Sequence, residues 1–152
     1  MINRRRWIRR SSAATAVLAL KPLTGLAALA TTDAFETALN DLRAGRRLNQ
    51  GRVDLYLPAL AENGNSVGLT VSVATADTAP VTQLWLLSPR NPEAQIAHFR
   101  FGTHVVAEEI ETRIRLSGTQ EVLAVAELAD GTLWTAAAEV IVSVSACIDG
   151  LL

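Results

Sequence analysis

From Val53 onward, apolar residues return at every second position through much of the chain, and this period of two constrains the fold more than any other feature. Leu69, Val71 and Val73 alternate with Thr70 and Ser72. Ile110, Thr112, Ile114 and Leu116 alternate with Glu109, Glu111, Arg113 and Arg115. Successive side chains of a strand point to opposite faces, so this pattern describes strands with one face in a core and the other in water. Val53 to Leu57, Leu84 to Leu87, Ile96 to Phe101, Glu121 to Leu128 and Ala138 to Ser145 complete the set. Turn residues separate them, at Glu62-Asn63-Gly64-Asn65, Ser88-Pro89-Arg90-Asn91-Pro92, Ser117-Gly118 and Asp130-Gly131. About seven strands punctuated roughly every 8–12 residues predict an immunoglobulin-like antiparallel β-sandwich.

One helix precedes the strands. Asp33 stands at an N-cap position with Glu36 three residues on, Phe35, Leu39 and Leu42 share a face, and Gly45 offers a stop. The expected organisation is a signal peptide over 1–30, a helix and linker over 31–50, the sandwich over 51–144, and a C-terminal arm over 145–152.

The assignment of 1–30 rests on charge. Arg4, Arg5, Arg6, Arg9 and Arg10 lead into the apolar stretch Ala13 to Ala30, which closes on the small-x-small sequence Ala28-Leu29-Ala30. Arg4-Arg5-Arg6-Trp7-Ile8-Arg9 has the order of a twin-arginine signal. Lys21-Pro22 interrupts the run, whereas a membrane span needs about 20 continuous apolar residues. Export by this route places the mature protein in the bacterial periplasm. Without residues 1–30, eight basic residues face fifteen acidic ones, a net charge of −7. Such a surface disfavours nucleic acid and anionic membranes.

Most catalytic constellations are missing. His98 and His104 are the only histidines and stand in no metal-ligand spacing. No phosphate-binding loop or nucleophile elbow occurs. Glu108, Glu109 and Glu111 read as the wet face of a strand and its preceding turn. The exception is Cys147, a lone cysteine that cannot form an internal disulfide. Val140, Val142, Val144 and Ala146 fall on one side of the last strand; Ile141, Ser143, Ser145 and, by extrapolation, Cys147 fall on the other. That phase predicts an exposed thiol rather than a core one. A thiol on a projecting arm can hold a sulfur fragment covalently, and four extended residues reach about 13 Å. Thiolate is the attacking form, and Asp149 nearby disfavours it, so activation must come from a partner.

These residues resemble the SoxY family, sulfur carriers of the periplasmic thiosulfate-oxidising (Sox) system. The resemblance runs from the twin-arginine-like start through Pro58, Ala61-Glu62-Asn63-Gly64, the strand from Val67, Asn91-Pro92, Thr112-Arg113-Ile114-Arg115-Leu116, Gln120, Ala124-Val125-Ala126 and Asp130-Gly131 to Cys147. It implies a scaffold without catalysis or cofactor of its own, paired with a second β-sandwich subunit, SoxZ. Cys147 would be the covalent sulfur attachment site. A haem enzyme would join thiosulfate to it, a hydrolase would release sulfate, and in some organisms a sulfane dehydrogenase would oxidise the sulfur left behind. The family pattern Gly-Gly-Cys-Gly-Gly is here Ser145-Ala146-Cys147-Ile148-Asp149, which is stiffer and wider. The alternative is a β-sandwich interaction module, or a diverged relative that no longer carries thiosulfate sulfur.

Overall fold

The computed structural model describes residues 33–74, 79–102 and 109–146. The expected signal segment, His104, Glu108 and the residues from Cys147 onward lie outside them. The elements are α1 (Asp33–Arg43), β1 (Leu48–Asn49), β2 (Val53–Tyr56), β3 (Leu60–Asn63), β4 (Val67–Val73), β5 (Val81–Leu87), β6 (Gln95–Arg100), β7 (Glu109–Ile114), β8 (Gln120–Leu128) and β9 (Leu133–Val144). They form a sandwich. One sheet has the order β1-β9-β8-β5-β6, with β3 also paired to β9, and the other has the order β2-β4-β7.

The inner faces meet as the alternation predicts. Val67, Leu69, Val71 and Val73 of β4 pack with Leu84 and Leu86 of β5, Val122, Ala124 and Ala126 of β8, and Val140 and Val142 of β9. On the outer side of the larger sheet, α1 sets Phe35 against Leu87, Ala94, Val125 and Leu133, with Leu39 and Leu42 beside it. β8 is therefore covered on both faces at its middle, which is why Ala124-Val125-Ala126 is a continuous apolar run. Arg46 fastens the helix end to the sheet: its guanidinium donates to Glu127 Oε1 at 2.9 Å, Gly131 O at 3.1 Å and Leu42 O at 3.2 Å. At the Asp130-Gly131 turn, the Thr132 hydroxyl and N–H donate to the Asp130 carboxylate and hold its pKa below the ordinary range.

The structure departs from the expectation in three places. β9 starts at Leu133 rather than Ala138. Ala136 to Ala138 have weak strand propensity, but pairing with β8 from Glu127↔Leu133 to Gln120↔Val140 holds them extended. Second, Glu62 and Asn63 belong to β3, not to a turn; the turn begins at Gly64, where Asn63 Oδ1 accepts the Asn65 N–H at 2.9 Å. Third, β1 and β3 pair with β9 in parallel, so the sandwich is not wholly antiparallel. Both are short, and pairing with a distant segment leaves no local periodicity to read.

Candidate functional site

Cys147 is joined by a peptide bond to Ala146, so the described chain shows the base from which it leaves. That base is built from the second half of β9. Past Val140 the strand has run beyond the end of β8 and exchanges partners: Leu60↔Ile141, Ala61↔Val142 and Asn63↔Val144 are now the pairs, with β3. Thr119 replaces the lost neighbour at one point, its Oγ1 accepting the Val142 N–H at 3.0 Å.

Three backbone hydrogen bonds then close the end of the strand. Gly64 N–H donates to Val144 O at 2.7 Å, Leu116 N–H to Gly64 O at 2.8 Å, and Ala146 N–H to Leu116 O at 3.0 Å. Gly64 lies so deep in this junction that a Cβ would stand 2.3 Å from Leu116 O and 2.8 Å from Ala146 N. No side chain fits there. Ala146 and Leu116 are both buried, and Val142 packs beside them.

The strand phase holds in part. Val140, Val142 and Ala146 are buried, and Ile141, Ser143 and Ser145 are exposed, as the alternation predicts. Val144 does not follow: it is 61% exposed although in phase with the buried set. Past the last β8 pair, Gln120↔Val140, nothing among the described residues covers that side of the strand until Ala146 reaches Leu116. Leu60 and Ile141, a register pair, are also exposed.

A buried polar network holds the Leu116 side of the junction. Gln120 and Ser88 are both fully buried. The Ser88 hydroxyl donates to Gln120 Oε1, which also accepts the Arg90 N–H at 3.2 Å. Gln120 Nε2 donates to Gly118 O and Asn91 Oδ1. Asn91 in turn donates to Arg115 O at 2.8 Å and accepts the Ser117 N–H at 3.0 Å. The loop from Arg115 to Thr119 is thereby fixed on both sides of Leu116. Periodicity reasoning missed Ser88, Gly64 and Leu116 as parts of one unit. Asn63-Gly64 and Asn91 were visible as turn residues and family elements and Gln120 only as a family element, with no part in a site attached.

The other sequence candidates among the described residues do not join this unit. His98 stacks on Trp85 with ring centroids 4.8 Å apart, and its Nε2 donates to Gln83 Oε1 at 3.0 Å. Burial, and secondarily the Arg100 charge, lower its pKa below the ordinary histidine value. Gln83 donates onward to Glu127, the partner of Arg46, so His98 belongs to a chain of polar contacts on the outer face of the larger sheet. Glu109 and Glu111 are exposed on β7. Among the described residues, no group of three His, Cys, Asp or Glu side chains is placed to hold a metal ion, and no helix is long and apolar enough to cross a membrane.

Comparison with known proteins adds to this geometry. The family model described as sulfur oxidation protein SoxY matches residues 40–147, a span whose last residue is Cys147. No curated protein sequence matches the chain. Among solved structures, the sulfur carrier protein SoxY from Chlorobium limicola f thiosulfatophilum aligns with a TM-score of 0.60 at 22% identity, covering 73% of this chain and 97% of that one. A variant of the superoxide reductase (neelaredoxin) from Ignicoccus hospitalis aligns at 0.51 and 14% identity, over 67% of this chain and 85% of its own. The superoxide reductase from Nanoarchaeum equitans aligns at 0.50 and 13% identity, over 62% and 100%. At these identities the likenesses establish a shared sandwich fold, which several chemistries occupy.

Proposed function

This chain belongs to the SoxY family of sulfur oxidation proteins, and from that premise we propose that it is a periplasmic carrier holding thiosulfate-derived sulfur covalently on Cys147 and presenting it to partner enzymes. The observation that carries this reading is the closed junction one residue before the thiol. Ala146 is hydrogen-bonded to Leu116 across a glycine that admits no side chain. A carrier needs a rigid body that delivers its cargo from a defined point, and this junction supplies the point.

In the loading step the Cys147 thiol gives up its proton, and a bond forms between Sγ and the outer sulfur of thiosulfate. Two electrons pass to a haem enzyme. The product is a cysteine S-thiosulfonate. Water then attacks the terminal sulfonate group, the bond to the adjacent sulfur breaks, sulfate leaves with the oxygen of water, and Cys147 retains a persulfide. The chain contributes the thiol and its placement; electron acceptance and hydrolysis belong to the haem enzyme and the sulfate-releasing hydrolase. A SoxZ-like β-sandwich subunit completes the working heterodimer, and the twin-arginine-like start accounts for export.

Intact-mass analysis of the chain from thiosulfate-fed cells tests this reading, with Cys147→Ala as control. An adduct on the wild type that is absent from the variant supports it; only free thiol under every sulfur condition sinks it. One observation favours a second reading. Ala146 stands where the family pattern has a glycine and is packed into the sandwich, as in an interaction module whose thiol is internal or forms an intermolecular disulfide. Reaction of Cys147 with a thiol reagent only after denaturation would select that module.

A further inference from the structure

Gly68 has no explanation inside the chain. It lies in β4, the central strand of the smaller sheet, on the outer face opposite Arg113 of β7. Glycine weakens a strand interior, so it is expected there only for a positive φ, a bulge or a tight contact. Its φ is not positive, and the pairings of β4 with β2 and β7 run without a shift. A Cβ built on it meets no atom within 4 Å. An aromatic ring laid over a strand glycine can compensate for the missing side chain. The ring of Tyr56 does not come that close; it stands 71% exposed. The remaining reason for a strand glycine is close approach by something from outside.

Around Gly68, the residues Tyr56, Pro58, Thr70, Glu111 and Arg113 line an open hollow of about 570 Å³. Its charges are unequally engaged. Arg113 donates to Ser66 Oγ at 3.2 Å, and Glu109 accepts the Ser72 hydroxyl. Glu111 has no hydrogen-bond or ion-pair partner among the described residues. Asp54, on the same face, adds a further carboxylate. Asp54, Glu109 and Glu111 outnumber Arg113 on this face, so a second copy of this chain would meet it with like net charge, whereas a partner carrying lysine or arginine is complementary.

The hollow is lined by residues close in sequence to the base of the cysteine arm. Gly68 follows Gly64 by four residues, about 13 Å of extended chain, and Arg113 precedes Leu116 by three. A protein seated over Gly68 therefore lies within about 13 Å of the Gly64 junction that holds Ala146.

We propose that this hollow is the docking site of the enzyme that loads sulfur onto Cys147. The enzyme places an apolar side chain over Gly68 and against Tyr56, and sets a basic side chain on Glu111. The inference rests on the carrier reading above and adds the surface and the partner chemistry to it. The test is to express the full chain with its SoxZ-like subunit in thiosulfate-fed cells, as wild type, Gly68→Leu and Glu111→Arg. Gly68→Leu fills the hollow at a position with room for a side chain, so the melting temperature should not fall. The expected result is an undiminished yield of co-purified subunit with the Cys147 adduct reduced about tenfold in both variants. Unchanged adduct in both variants overturns the proposal. Loss of the subunit together with the adduct overturns it too, because the hollow would then belong to the subunit interface. A wild type without adduct sinks the carrier reading itself, and this inference with it.

Discussion

The backbone N–H of Ala146 donates to the carbonyl of Leu116 at 3.0 Å, and Gly64 is wedged between the two residues. This contact ties the last described residue of the chain to the loop that follows β7. It converts the end of a strand that has lost its β8 partner into a fixed point of the sandwich.

Gly64→Ala should break that point. The added methyl would meet backbone atoms on both sides, Leu116 O at 2.3 Å and Ala146 N at 2.8 Å, and neither can swing aside as a side chain could. Overpacking of this kind costs about 1–3 kcal/mol. Urea unfolding should show that loss, and limited proteolysis should cut sooner near residue 146. A midpoint shift no larger than that of a surface substitution would contradict the wedge.

Gln120→Met should destabilise the protein with little change of volume. Gln120 is fully buried and bonds Ser88, Arg90, Asn91 and Gly118. Removing it strands several buried donors and acceptors, each at about 1–3 kcal/mol before relaxation. Denaturant unfolding gives the loss, and amide exchange should rise at Ser117, whose N–H depends on Asn91.

His98 makes stability depend on pH in one direction. Its folded pKa is lowered by desolvation first and by Arg100 second. The unfolded chain therefore takes up the proton more readily, so this contribution is complete above the ordinary histidine pKa of about 6.5 and declines as pH falls through the folded value. Urea midpoints should fall from pH 7 toward pH 5, and His98→Gln should flatten that part of the slope. An equal slope in both proteins would assign it to other groups.

Ala44→Gly should stabilise. Ala44 follows α1 with φ 45°, in the left-handed region. An L-residue there costs about 1–2 kcal/mol, and the greater chain entropy of glycine offsets about half of the relief. A gain of roughly 0.5–1 kcal/mol in the unfolding free energy is expected, read from the denaturation midpoint at unchanged slope.

The local pattern was sufficient for much of this molecule. Strict alternation placed β4 and β7, and the spacing of Phe35, Leu39 and Leu42 gave the buried face of α1, because each signal lies within a few neighbouring residues. Even the exposure of Ile141, Ser143 and Ser145 followed from phase. What the alternation could not contain is anything decided by a distant partner. β3 is a strand because β9 lies beside it, Val144 is exposed because β9 runs past its last β8 pair at Gln120↔Val140, and Gly64 is glycine because Leu116 and Ala146 converge on it. By itself the sequence determined a β-sandwich and the family resemblance, and it singled out the one cysteine on which the proposed function rests. Only the tertiary structure decided where the strand that leads toward that cysteine is anchored, since the anchor is three backbone segments far apart in the chain, and backbone hydrogen bonds between them leave no mark on residue type except at the one position too crowded for a side chain.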